Sequence, residues 1–315
     1  MMKKTLCILA LVVVLILAAI VGGSYFMIHF SLDPMPNRQD TTALYQWLYE
    51  EFPETRPWMD SLRRTDALRD TFVTMPTGER HHAIFVRNPR AEGHTAVLVH
   101  GWRDQSIKML QIARIYEQLL GYNILRPDLH AHGLSEGNSI GMGWNDRKDV
   151  LHWMQLASQL FHSHDFVVHG VSMGAATTMN VSGEPMPKGI SKVLFVEDCG
   201  YTSVWDEFHF QLGEDFKLPD FPLMYTTDFL CQWVNGWSFS EAAPIKQVAK
   251  CKHPMLFIHG DNDHFVPSWM VHPLYKAKPG VKELWITKGT EHAESYKDYP
   301  QEYTQHVVDF VKKHQ

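Results

Sequence analysis

The chain has 315 residues, of which 45% are hydrophobic and 20% charged, with a formal net charge of −6 at neutral pH. That length and balance suit one large α/β domain with additions, or two small domains, and exclude a disordered chain. The acidic charge leaves no basic footprint, so nucleic acid is not an expected partner.

Lys3 and Lys4 precede an unbroken apolar run from Leu6 to Val21, and no Asp, Glu, Lys or Arg follows until Asp33. At about 1.5 Å per residue this stretch crosses a hydrocarbon layer of about 30 Å. The lysines favour the cytoplasmic side and send the rest of the chain outward, with Tyr25 and Phe26 suited to the far interface. Residues 1–30 therefore read as a membrane anchor with the remainder extracytoplasmic. The alternative is a signal segment cut near Val21-Gly22-Gly23, which would release a secreted domain. Cys199, Cys231 and Cys251 lie outside this segment; an exported domain could oxidise one pair, and spacing does not choose which.

Residues 31–66 read as a stalk and helical lead-in. Pro34 and Pro36 stiffen the stalk, Thr41 to Phe52 has helical spacing through Leu44, Trp47 and Leu48, and a short helix follows Pro57. From residue 67 to 315 the main domain begins with two extended runs, Leu68 to Met75 and His81 to Arg87, around the turn Pro76-Thr77-Gly78-Glu79. Strand and helix then alternate, which implies a mostly parallel sheet with helices on both faces. The strands read as Ala96–His100, Tyr122–Pro127, Phe166–His169, Val193–Val196, Met255–His259 and Leu284–Thr287. Helices fall near Ile107–Leu120, Asp146–Phe161, Met173–Val181, Pro267–Lys276 and Tyr299–His314. One interval breaks the rhythm. At about 201–245 lie Trp205, Phe208, Phe210, Phe216, Phe221, Tyr225, Phe229, Trp233, Trp237 and Phe239, too many aromatics for a plain connection. It reads as a small helical cap before the penultimate strand, most of its aromatics forming its own core and a few lining a pocket.

The residues with chemistry cluster around Val167-Val168-His169-Gly170-Val171-Ser172-Met173-Gly174. A short apolar strand, glycine, serine, glycine and then a helix form a nucleophile-elbow pattern. Two glycines permit close backbone approach around a sharp turn, and the helix N-terminus behind Ser172 favours negative charge there. His100-Gly101-Trp102 ends an earlier strand. The backbone N–H groups of Met173 and Trp102 are the expected oxyanion donors, and His100 is expected to secure the loop. Among 19 histidines, His292 stands on the loop after the last strand, where a general base belongs. His264, His272, His306 and His314 read as surface or packing residues. Asp198, Asp261 and Asp263 all satisfy the order serine, acid, histidine; Asp263 has the better register, and Asp261 reads as shaping the turn.

These pieces, with Asp128-Leu129-His130-Ala131-His132-Gly133-Leu134-Ser135-Glu136-Gly137, resemble the α/β-hydrolase superfamily over roughly Thr71 to Lys313. The likeness extends to bacterial membrane-anchored or exported hydrolases of the serine-peptidase-like and cinnamoyl-esterase-like group, through Trp144-Asn145-Asp146-Arg147 and Asp198-Cys199-Gly200-Tyr201-Thr202-Ser203. Many relatives carry Arg at His130 and Gly at Ala175. The resemblance implies an α/β-hydrolase fold and hydrolysis through an acyl-serine. The expected activity is carboxylic-ester hydrolysis by Ser172, Asp263 and His292. A peptidase, amidase or acyltransferase with the same triad is the alternative, and a non-catalytic binding module stands further off. The expected partners are a small-molecule ester or acyl substrate and the membrane. No cofactor or metal motif is visible, and the sequence does not reach the oligomeric state.

Overall fold

A computed structural model describes residues 2–315. The chain divides into two compact units, residues 1–33 with 203–242, and residues 34–202 with 243–315.

The larger unit is built on one eight-stranded sheet in the order β1-β2-β4-β3-β5-β6-β7-β8. After helices α2 (Thr42–Glu51) and α3 (Thr55–Arg64), the strands are β1 (Leu68–Thr74), β2 (Arg80–Val86), β3 (His94–Val99), β4 (Asn123–Pro127), β5 (Asp165–Val171), β6 (Lys192–Asp198), β7 (Met255–Gly260) and β8 (Lys282–Thr287). The hairpin β1–β2 joins β4 antiparallel; every other pairing is parallel. Strands β3, β5, β6 and β7 are buried along almost their whole length, as continuous apolar runs covered on both faces require. The helices of this unit that follow are α4 (Leu110–Arg114), α5 (Asp146–Phe161), α6 (Met173–Ser182), α9 (Pro244–Val248), α10 (Val271–Ala277), α11 (Ser295–Asp298) and α12 (Pro300–His314). The chain leaves β3 toward β4 and returns across it to β5, so the sheet reverses its order between β3 and β5. In open α/β sheets, sites form at the carboxyl ends of strands at such a reversal. Ser172 follows β5 there, and Gly101-Trp102 follows β3.

The helix expected over Ile107–Leu120 is broken into three parts. A 3-10 turn spans Ser106–Met109, α4 follows, and a π-helical turn runs from Ile115 to Leu120. Side chains fix its start: the Ser106 N–H donates to Asp128 Oδ1 at 2.8 Å, and Arg126 Nη1 donates to the Ser106 carbonyl at 2.9 Å.

The smaller unit comprises α1 (Met2–Leu32), α7 (Val204–Phe216) and α8 (Leu223–Asn235). Helix α1 is long and apolar enough to cross a membrane. Its last third is packed rather than free, a departure from a segment standing wholly apart: Ser24, Ile28 and Leu32 are buried. The Ser24 and Thr226 hydroxyls lie 2.6 Å apart, and a Cβ on Gly23 would meet Leu223 Cδ1 at 3.2 Å. Small residues in this position let helix backbones approach closely. The aromatics of this unit meet the expectation only in part: Phe208, Trp237 and Phe239 pack on one another. Trp237 and Phe239 are buried, but Phe221, Tyr225, Phe229 and Trp233 are exposed, Trp233 by 79%. The last three recur every fourth residue, so α8 turns an aromatic stripe outward.

Candidate active site

Ser172 is held by the backbone on both sides. The close approach of β5 and α6 admits no side chain at either glycine: a Cβ on Gly170 would lie 2.0 Å from the Gly174 carbonyl oxygen, and one on Gly174 would lie 2.0 Å from that of Val99. Real Cβ contacts are never that short, so only glycine fits at either position. Ser172 itself takes φ 58°, ψ −121°, a strained conformation for a residue with a Cβ. Its N–H donates to the Asp198 carbonyl at 2.8 Å. The result is a serine at a turn apex, at the N-terminus of α6.

The hydroxyl of Ser172 lies 2.8 Å from His292 Nε2, and His292 Nδ1 lies 2.7 Å from Asp263 Oδ2. The structure thus brings three side chains from the ends of β5, β7 and β8 into one hydrogen-bonded chain. Asp263 is buried and fully occupied. Its Oδ1 accepts the N–H groups of Phe265 and Val266 at 2.9 and 2.8 Å, and His259 stands 3.4 Å from Oδ2. Burial opposes its charge, but hydrogen bonds from His259 and His292 outweigh it and hold the carboxyl down to about 2. Asp263 is therefore a carboxylate across the working range, the form that accepts the imidazole N–H.

The two other aspartates have different work. Asp261 Oδ1 accepts the Gly289 N–H and so ties the β7 loop to the β8 loop. Asp198 accepts the Tyr303 hydroxyl at 3.0 Å, and burial pushes its carboxyl up to about 7. Tyr303 spends its one proton there, so it accepts from His169 Nε2 at 2.8 Å, and His169 Nδ1 accepts from Tyr116 at 2.9 Å. His169 stays neutral, since burial pushes it down to about 3.

The loop after β3 passes beside Ser172: a Cβ on Gly101 would be 3.4 Å from Ser172 Cβ. His100 secures it. Its Nε2 accepts the Leu129 N–H at 3.0 Å, so its Nδ1 carries the proton donated to the Gly101 carbonyl at 2.8 Å. His132 repeats the arrangement, accepting the Arg103 N–H at 3.0 Å and donating to the His130 carbonyl at 2.8 Å. Asp128 anchors this second loop by accepting from Ser106, Leu134 and His82. Of the expected oxyanion donors, Trp102 stands on the loop after β3 and lines the same cavity as Ser172, and Met173 is the first residue of α6.

A cavity of about 180 Å³ opens on Ser172. Trp47, Trp102, Met109, Ile112, Val171 and Tyr296 supply its apolar surface, and Asp104, Lys108, Gln111, Asp198 and Glu294 its polar groups. Trp47 was not foreseen here. It comes from the lead-in helix α2, and its only signal in the sequence was the apolar face shared with Leu44 and Leu48. The remaining singled-out histidines lie elsewhere: His264 and His272 are exposed, His306 stacks on Trp285 at 4.4 Å, and His314 pairs with Glu283 at 3.0 Å. Cys199 Sγ, with donor atoms of Asp263 and His292, lies within a 4.8 Å cluster. The carboxylate and imidazole there are already bonded to each other, and burial raises the Cys199 thiol well above its ordinary range, keeping it protonated. The four cysteines are free.

Sheet order, elbow and loop geometry give the chain the α/β-hydrolase fold. Esterase Pf2001 of Pyrococcus furiosus superposes with a TM-score of 0.63 at 22% identity, covering 78% of this chain and 90% of the esterase. The acylaminoacyl peptidase of Pyrococcus horikoshii superposes at 0.60 and 17% identity, covering 78% of this chain but 41% of the peptidase. In sequence, the uncharacterised protein YqkD of Bacillus subtilis is 27% identical over 224 residues, 71% of this chain and 72% of YqkD. No family model matches the sequence.

Proposed function

We propose that the chain is a serine hydrolase that cleaves a carboxylic ester through an acyl-serine intermediate. The observation that carries this reading is the chain Ser172–His292–Asp263, at 2.8 and 2.7 Å. His292 Nε2 takes the Ser172 proton as Oγ attacks the ester carbonyl, and returns it to the departing alcohol. Asp263 holds the imidazole by its Nδ1–H and balances the positive charge that develops on it. The N–H groups of Trp102 and Met173 meet the oxyanion that forms on the carbonyl oxygen. Water, activated by the same imidazole, then releases the acid. An engineered apolar cavity of about 150 Å³ takes up benzene, so 180 Å³ gives room for a short or ring-bearing acyl group. The likeness to an esterase supports the ester reading; the likeness to a peptidase keeps an amide substrate as its competitor. Hydrolysis of a panel of acyl esters, thioesters and peptide amides separates the two, and turnover of amides alone would reject the ester reading.

Helix α1 is further proposed to be a retained anchor that leaves the catalytic unit on the extracytoplasmic side. The unbroken helix from Met2 to Leu32 is long for a signal segment's apolar core, which supports retention; Ser24, Ile28 and Leu32, the residues of it that are buried, follow Gly23 and would survive a cut there. The outward aromatic stripe of α8 suits a membrane interface, where Trp and Tyr concentrate. The full chain should stay with membranes after alkaline carbonate washing. Release of a shortened chain into the medium would instead show a signal segment.

A further inference from the structure

We propose that Glu79, His81 and His130 form a site for a divalent transition-metal ion of the zinc type, in the larger unit and outside the catalytic cluster. Glu79 stands in the β1–β2 turn, His81 on β2, and His130 on the loop after β4. Glu79 Oε2 lies 3.2 Å from His130 Nδ1 and 3.9 Å from His81 Nε2, and the three donor atoms all lie within 4.8 Å of one another. Zinc bonds of about 2.0–2.2 Å to imidazole nitrogen and carboxylate oxygen place tetrahedral donors roughly 3.3 Å apart. Small rotations of these side chains therefore close the set.

A simple ion pair between Glu79 and His130 explains those two residues but not His81. Its side chain is 1% exposed, and neither ring nitrogen has a hydrogen-bond partner. Buried polar atoms are nearly always bonded, because leaving one unmet sacrifices its hydration with no return. A metal on Nε2 answers one nitrogen. The other faces Asp149, whose Oδ2 is 3.5 Å from His81 Nδ1. That is the place of the outer carboxylate that orients a ligating histidine. Two imidazoles with one carboxylate favour zinc or another first-row transition ion, iron(II) included, over the oxygen-seeking calcium and magnesium. Entry is open on one side: the Glu79 and His130 side chains are 35% and 19% exposed, which leaves a fourth position for water. An ion there would clip the hairpin to the loop that carries His132, and His132 holds the Arg103 N–H beside Trp102.

The test is calorimetric titration of the detergent-solubilised full chain with zinc chloride, after removal of metals by chelator. One ion per chain is expected, with a raised melting temperature. His130→Ala and Glu79→Gln should each weaken binding about tenfold or more, and Asp149→Asn by about 10–100-fold. His292→Ala should leave binding intact, which separates this site from an ion resting on the catalytic cluster. Should His130→Ala fail to fold, Glu79→Gln carries the test alone. The proposal is overturned if no stoichiometric binding occurs, if Glu79→Gln binds as tightly as the parent, or if His292→Ala abolishes binding.

Discussion

Two neighbouring strand ends carry aspartates with opposite fates. After β7, Asp263 meets two backbone N–H groups and two imidazoles, and its carboxyl is held down to about 2. At the end of β6, Asp198 meets the Tyr303 hydroxyl, and burial pushes its carboxyl up to about 7. Both are buried, so burial alone does not set charge; the number and kind of donors does. An orienting acid has to be ionised while the imidazole beside it gains a proton. Only the β7 position meets that demand with a direct contact to His292.

The sharpest way to break this contrast is to neutralise each aspartate in turn. Asp263→Asn should lower kcat by about 10⁴-fold, the order seen when an orienting carboxylate becomes an amide that favours the wrong tautomer. Asp198→Asn can still accept from Tyr303 and should cost about tenfold or less. Asp261→Asn loses its tie to Gly289 and should cost only a few fold, with a lower melting temperature. Steady-state kinetics on one activated ester gives the ranking; equal or reversed losses would move the acid.

A smaller effect concerns the apolar part of the cavity beside Ser172, where Trp47, Met109 and Ile112 can receive apolar groups. Each methylene buried there contributes about 0.8 kcal/mol, or roughly fourfold in kcat/KM where the burial is realised in the transition state. Efficiency should climb along a series of straight-chain acyl esters until about 180 Å³ is filled. A flat series, with better cleavage of peptide amides, would favour the peptidase alternative.

The smallest effect is on stability. Asp198 has a raised folded pKa, so the folded state holds its proton where the unfolded chain has lost it. Its contribution is full below about 4 and is lost as pH rises toward about 7. Glu197, pushed by burial up to about 8, acts in the same direction. Asp263 has the opposite sign and stabilises above about 4. Melting temperatures of Asp198→Asn, measured relative to the parent, should therefore improve between pH 4 and 7. An unchanged difference across that range would remove the claim that Asp198 resists ionisation.

The sheet and the elbow were legible because their constraints are local. Continuous apolar strands announce burial on both faces, and Gly170 and Gly174 are demanded by backbone contacts only 2.0 Å long. Choosing Asp263 over Asp261 rested on register two residues apart, and the structure puts Asp263, not Asp261, on His292. Other features depend on chain segments that meet only in space. Trp47 reaches the cavity from a helix more than a hundred residues before Ser172, and Glu79, His81 and His130 come from three separate elements. The aromatics at about 201–245 were legible only in part. Tyr225, Phe229 and Trp233 mark one helix face by their spacing, but spacing does not say whether that face turns inward, and here it turns outward.

The central claim is that Ser172 is the nucleophile. The direct measurement is labelling of the full chain with a fluorophosphonate, followed by peptide mass spectrometry. The label should sit on Ser172, vanish in Ser172→Ala, and slow severely in Asp263→Asn. A modified serine elsewhere, or undiminished labelling of Ser172→Ala, would contradict the account.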